Sequence, residues 1–348
     1  MKIEDKIKPN QNIKKLFAYA CFSNLFFERS LFVIFLAFKG FDIAEIALWQ
    51  SIVNLSMTAG EIPTGVIADR IGKKRALITG NLMMIVYYMS LLFSGSFAGI
   101  AVGAFMFGVG STFISGTEEA FLYDFLDTES AKKESVKYLG RLSAIITFSI
   151  SCAIFAGGLM QKVNWNLVMA SGVVAQTISI AIMAFLPNIT HYSKDVHNIA
   201  PGFKSFLQLL KSDRFIRSII LFLGINVGVV SAVYILAQDF FCDYGLPAEQ
   251  VAFVFGAETI LSVLVFSQVH RIQKWLGTMK SLIITITVVS VAFMLLGIPN
   301  KFTAVAMVLL ISIANNYFST ILQNAYNCHV PLVSGQLQFH AYVCSPRC

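Results

Sequence analysis

The stretch GEIPTGVIADRIGKKRALITG (residues 60–80) lies between two long apolar runs, yet it packs Asp69, Arg70, Lys73, Lys74 and Arg75 into seven consecutive positions. What that charge is doing depends on what surrounds it. The 348 residues are 56% hydrophobic and only 13% charged, against about 25% charged in soluble domains. With a mean hydropathy of +0.71, this composition places the chain among membrane proteins before any motif is considered. A net charge of +7 on one soluble face would suggest nucleic acid. Here the basic residues fall in short segments between apolar runs, so they report topology and imply no nucleic-acid partner.

A bilayer core needs about 20 helical residues to cross. Ten runs reach that length, near 15–38, 43–68, 76–95, 97–121, 140–161, 166–187, 215–240, 247–269, 279–299 and 302–326. Backbone at membrane depth must satisfy its own hydrogen bonds, so each run is expected to be helical. The expected fold class is all-α, a polytopic transmembrane helix bundle. If the ten runs alternate, the basic segments before run 1 and after runs 2, 4, 6 and 8 share one side, and the other side receives Lys39, Lys162 and Lys301. The positive-inside rule then puts the N-terminus in the cytoplasm. The apolar run after the N-terminus lacks a small-residue cleavage site, so no removable signal peptide is expected.

The polar segment 188–214 divides the chain into an N-terminal six-helix half (1–187) and a partial C-terminal half of four helices (215–327). A second charged turn, HRIQKWLGTMKSL at 270–282, echoes the first. Gly277 answers Gly72 and Lys280 answers Arg75, at an offset of about 205 residues. Internal repeats of this kind mark secondary transporters.

Gly65-Val66-Ile67-Ala68-Asp69-Arg70-Ile71-Gly72-Lys73-Lys74-Arg75 resembles the G-x-L-A-D-R-x-G-R-R signature of the major facilitator superfamily, and it falls between the second and third spans as it does in that family. The resemblance covers all ten runs. It implies a two-half fold with ten of the usual twelve helices, of the drug-efflux-like bacterial permease type. It also implies a conformational clip made by Gly65, Asp69, Arg70, Gly72 and Lys73. In that reading Asp69 and Lys73 pair with an acid at the inner end of span 4, for which Asp124 is the candidate. Gly65 and Gly72 are expected to allow close helix approach and a tight turn. The alternative is a simple positive-inside anchor. Position 104 is Ala where proton-linked members often carry Arg, and of the antiporter glycines only Gly157-Gly158 is present. After residue 327 the tail is too short and mixed for two more spans, which suggests a chain truncated after helix 10.

Ionisable groups at membrane depth are the remaining candidates for substrate or proton binding. They are Glu28 and Arg29 in span 1, Glu61 two residues before Pro63 in span 2, Glu118 and Glu119 in span 4, and Glu258 in span 8. Asn226 is a candidate polar anchor in span 7. On one helix Glu28 and Arg29 point about 100° apart, so at least one needs a partner elsewhere. Glu61 either exchanges a proton in a cavity or braces the clip. Glu118 and Glu119 are expected to split, one toward a cavity and one toward Lys137 or Arg141. Glu258 has no obvious local partner and is assigned to a cavity.

The six cysteines show no paired spacing, so no disulfide framework or metal site is indicated. No nucleophile–base pair or phosphate loop is visible, so no enzyme chemistry and no cofactor is expected. The reading is a monomeric, multi-pass plasma-membrane (inner-membrane) secondary transporter working by alternating access. Its partners are the bilayer, a small-molecule substrate and protons. Efflux of amphipathic or cationic molecules leads. Transport of small anions or metabolites through Arg29 is the alternative, and a non-transporting remnant is a further one.

Overall fold

The computed structural model describes residues 9–126, 135–188, 214–298 and 300–329. The polar central segment from 189 to 213 and the tail beyond 329 lie outside the described residues. The described residues form twelve helices and no strand: α1 (Pro9–Ser23), α2 (Phe32–Phe38), α3 (Ile43–Ile71), α4 (Lys73–Phe93), α5 (Phe97–Ile114), α6 (Thr117–Phe125), α7 (Ser135–Val163), α8 (Trp165–Ala184), α9 (Arg214–Asp243), α10 (Ala248–Leu276), α11 (Thr278–Leu296) and α12 (Lys301–His329). Among the described residues, six segments are long and apolar enough to cross a membrane unaided: 73–93, 97–125, 137–163, 165–184, 248–265 and 301–318. Helices α3 and α9 have the length, at 29 and 30 residues.

Two runs expected to be continuous helices are not. The first divides into α1 and α2, separated by turns over residues 24–31. Asn24 explains the stop. Its Nδ2 donates to the carbonyl of Ala20 (2.9 Å), occupying the acceptor that the Asn24 amide would use if the helix continued. The fourth run divides into α5 and α6. Gly116 sits at the join with φ +72°, a conformation that ends an α-helix and that other residues adopt only with strain.

The chain forms two compact units, Met1–Tyr192 with Pro247–Gly256, and Ser193–Leu246 with Ala257–Cys348. In the first unit α4 packs between α5 and α8, α3 lies against α5, and α1 lies against α8, α7 and α6. Glycines set these approaches. A Cβ on Gly80 would meet the Gly110 carbonyl at 2.9 Å, and one on Gly108 would meet Ser56 and the Val53 carbonyl. The apolar core joins Leu16 and Tyr19 (α1), Leu77 and Met84 (α4), Phe121 (α6), Leu142 (α7) and Met183 (α8). The first turns of α10 belong to this unit. Gly158 of α7 admits the Ala252 methyl, and Lys162 pairs with Glu249 at 2.8 Å. In the second unit α12 packs against α11 and α9, and Tyr317 and Ile321 collect Val265, Ile272 and Leu282.

Both halves share one register. Helices α3 and α10 start at 43 and 248 and end at 71 and 276, and α4 and α11 start at 73 and 278, each pair 205 residues apart. The positive-φ glycines repeat at the same distance, Gly40 with Gly245 and Gly72 with Gly277. The breaks do not repeat, because α9 and α12 run unbroken where their counterparts are interrupted.

Candidate functional site

The charged turn resolves into a staple over helix ends. A lysine at the start of a helix is unfavourable for that helix's own dipole, and neither Lys73 nor Lys74 serves its own helix. Lys73 Nζ donates to the Ala120 carbonyl (3.0 Å) and pairs with Asp124 at 2.7 Å, at the C-terminal end of α6. Lys74 Nζ donates to the carbonyls of Ala184 (2.8 Å) and Leu186 (2.6 Å), at the C-terminal end of α8. Both cations therefore meet the negative ends of neighbouring helices. Gly72, at φ +88°, is the one-residue link that lets α4 leave α3 sharply. Gly65 does not make the expected close approach among the described residues: it is exposed, with nothing of theirs within 4 Å of a built Cβ. Asp69 and Arg70 are exposed. Lys73 alone makes the pairing with Asp124 that was expected of Lys73 and Asp69 together.

The charged side chains buried among the described residues are Glu28, Glu118 and Glu258, with no Lys or Arg. Glu28 lies in the break between α1 and α2, 2% exposed. Tyr87 and Tyr88 of α4 each donate a phenolic hydrogen bond to it, at 3.2 and 2.9 Å. Gly172 of α8 makes room for Tyr88, since a Cβ there would meet the ring at 2.4 Å. Gly157 of α7 receives the break itself: a Cβ there would stand 1.9 Å from the Phe27 carbonyl. The Tyr87 ring continues into an aromatic cluster. Tyr87 contacts Tyr88 and Phe107 (both 4.9 Å) and Trp49 (6.3 Å), Phe32 contacts Trp49 (5.3 Å), and Phe26 contacts Phe107 (5.9 Å). The geometric argument that separated Glu28 from Arg29 by a helical step does not apply, because both lie in turns rather than on a helix. Arg29 is exposed.

Glu118, in the first turn of α6, is 5% exposed. Its Oε1 accepts from Ser23 Oγ (2.9 Å) and Asn24 Nδ2 (3.5 Å). Glu119 is exposed. The two acids do split, but the buried one turns to the end of α1 rather than to an open cavity. Glu61 is exposed on α3, which Pro63 leaves helical. Glu258 has a local partner one turn on. Ser262 Oγ donates to it at 2.9 Å, and Asn316 Nδ2 of α12 reaches Glu258 (3.5 Å) and Ser262 (3.0 Å). The Asn226 side chain lies outside the described residues.

Sequence reasoning did not single out Ser23, Asn24 or Ser262, nor Tyr87 and Tyr88 as partners of Glu28. The available signal was the density of small polar residues within apolar runs: Ser23-Asn24 beside Glu28, and Ser262 four residues after Glu258.

The family model described as Major Facilitator Superfamily matches residues 17–339. The chain belongs to that superfamily. A relative among known proteins is an uncharacterized MFS-type transporter of Methanocaldococcus jannaschii, 23% identical over 301 residues, covering 84% of this chain and 76% of that protein. The inner membrane transport protein YajR of Escherichia coli is 24% identical over 253 residues, covering 69% of this chain and 53% of its own length. Among solved structures, the nucleoside transporter NupG superposes with a TM-score of 0.75 at 15% identity, over 96% of this chain and 84% of that one. A D-xylose–proton symporter gives 0.66 at 13%, over 88% and 80%. At these identities the superpositions establish the superfamily fold, and the names state what those proteins carry.

Proposed function

We propose that this chain is a secondary active transporter that works by alternating access and exchanges protons for amphipathic or cationic small molecules, moving them outward across the plasma membrane with its N-terminus in the cytoplasm. The observation that carries this reading is the sign of the buried charge. All three charged side chains buried among the described residues are carboxylates, and a buried carboxylate needs a proton or a cation as its partner. Glu28 adds selectivity. A carboxylate held by Tyr87 and Tyr88, with the Tyr87 ring stacked on toward Trp49 and Phe107, offers an organic cation both charge and aromatic faces.

In this reading the six-helix half and the partial second half are the moving parts, and the Lys73–Asp124 pair clips one conformation. Proton-driven accumulation in inverted vesicles tests the function, with a lipophilic quaternary ammonium dye and an anionic dye side by side. The expected result is accumulation of the cation that a protonophore collapses and that Glu28→Gln abolishes. Accumulation of the anionic dye alone would favour the Arg29 alternative. No transport of either dye would favour a non-transporting chain.

A further inference from the structure

The C-terminal end of α8 gathers more positive charge than the helix can neutralise. The last carbonyls of a helix have no intrahelical donors. Here the amides of Phe185 and Leu186 turn back to Ile182 and Met183, and the carbonyls of Ala184, Phe185 and Leu186 are met by lysines from two other helices. Lys74 of α4 donates to Ala184 (2.8 Å) and Leu186 (2.6 Å), and Lys15 of α1 donates to Phe185 (3.4 Å).

A helix end carries about half a negative elementary charge, against two full positive charges. The three helices cannot make up the difference themselves. Helices α1, α4 and α8 hold Lys14, Lys15, Lys73, Lys74 and Arg75 and no acidic residue. Asp124 neutralises Lys73, but among the described residues neither Lys15 nor Lys74 pairs with a carboxylate. The surplus calls for an anion.

The surface beside the lysines says which anion. Val174, Ile178, Ala181 and Phe185 recur at i, i+4, i+7 and i+11, which places them on one face of α8 and its cap. All four are exposed, Phe185 by 76%. At 1.5 Å per residue this apolar lane is about 16 Å long, close to the roughly 15 Å of hydrocarbon in one leaflet. A free phosphate has no use for such a lane. A phospholipid sets its phosphate at the lysines and its acyl chains along the lane, and basic pockets between transmembrane helices hold acidic headgroups in this way. The choline of a zwitterionic lipid would add a positive charge where one is already in surplus, so an acidic headgroup is favoured.

We propose that Lys15 and Lys74, at the C-terminal end of α8, bind the headgroup phosphate of an anionic phospholipid whose acyl chains lie along Val174, Ile178 and Phe185. The site is independent of the transport reading, since it uses neither Glu28 nor a transported substrate.

The test titrates the full chain in mild detergent with radiolabelled phosphatidylglycerol and counts the bound lipid. Phosphatidylcholine with the same acyl chains and inorganic phosphate serve as competitors. The wild type is expected to bind phosphatidylglycerol saturably, to release it to unlabelled phosphatidylglycerol, and to retain it against both competitors. Lys15→Met should weaken binding about fivefold, equivalent to about 1 kcal/mol for one basic group beside an acidic headgroup. Adding Lys74→Met should bring the loss to about 25-fold. Lys15→Arg keeps the charge and should stay near the wild type. Lys14→Met, altering the exposed neighbour of Lys15, should match it.

Lys15 is exposed and makes a single long bond, so Lys15→Met decides the matter even if the double variant misfolds. Undiminished binding in Lys15→Met would overturn the assignment. So would an equal loss in Lys14→Met, which marks diffuse attraction to the whole basic face. Displacement by millimolar inorganic phosphate would make it a free-anion site instead. A wild type that does not distinguish the two lipids would refute it as well, and an acidic side chain from 189–213 seated on the lysines would give that result.

Discussion

Gly157 and Gly140 both lie within α7, and replacing each with alanine should have opposite effects. A Cβ at Gly157 would stand 1.9 Å from the Phe27 carbonyl oxygen and 2.8 Å from its carbon, whereas nothing lies within 4 Å of one at Gly140. Alanine in a helix interior is worth about 0.5–1 kcal/mol over glycine, so Gly140→Ala should stabilise by roughly that amount. Gly157→Ala gains the same term but must displace backbone, because the obstructing atoms are not the end of a flexible side chain. Overpacking of this kind costs about 1–3 kcal/mol, so a net loss of about 1–2 kcal/mol is expected. For a folding unit of 150–250 residues each kcal/mol moves Tm by about 2–4 °C.

The assay is thermal unfolding of the purified chain in one detergent, followed by tryptophan fluorescence and by monodisperse elution after heating. Because unfolding of such proteins is often irreversible, the sign and order of the two shifts carry the argument. Gly140→Ala should rise and Gly157→Ala should fall by several degrees. Gly157→Ala should also impair transport more than its stability loss explains, because the displaced Phe27 carbonyl adjoins Glu28. If both variants unfold at or above the wild-type temperature, the break between α1 and α2 is not seated on α7, and the account of the Glu28 pocket fails with it.

Tyr88→Phe removes the shorter of the two hydrogen bonds to Glu28; a bond to a charged group is worth about 1.5–3 kcal/mol, so apparent affinity for a cationic dye should change about tenfold or more in a fluorescence titration, and an unchanged affinity would detach Tyr88 from the site. Lys73→Met should slow transport more than Asp124→Asn, since Lys73 also holds the Ala120 carbonyl; the reverse order in initial-rate measurements would contradict the staple. Gly72→Ala and Gly277→Ala, at φ +88° with ψ 145° and φ +76° with ψ 160°, should each destabilise by about 1–3 kcal/mol, because this positive-φ extended region is essentially confined to glycine, and a neutral result for either in the thermal assay would break the repeat argument.

The sequence by itself determined the class, the family and the repeat. Apolar run length is a one-dimensional property that the bilayer reads directly, the basic turns follow the same alternation, and the signature at 65–75 is contiguous. The 205-residue echo was visible from Gly72 with Gly277 and Arg75 with Lys280, because a sharp turn between two spans needs φ > 0 and leaves a glycine in the sequence. Tertiary structure decided the rest. The breaks at 24–31 and 115–116 were invisible to hydropathy, which averages over Asn24 and Gly116 and cannot see a side chain capturing a backbone acceptor. Which acid is buried was equally hidden: Glu118 and Glu119 are adjacent and identical in type, and packing alone turns one toward Ser23 and leaves the other exposed. Hydropathy likewise cannot separate Glu61, which is exposed on α3, from the buried Glu28 and Glu258. The signature already set Lys73 against Asp124, but the carbonyls that Lys73 and Lys74 meet at the ends of α6 and α8 are more than forty residues away in the chain and reach them only through folding.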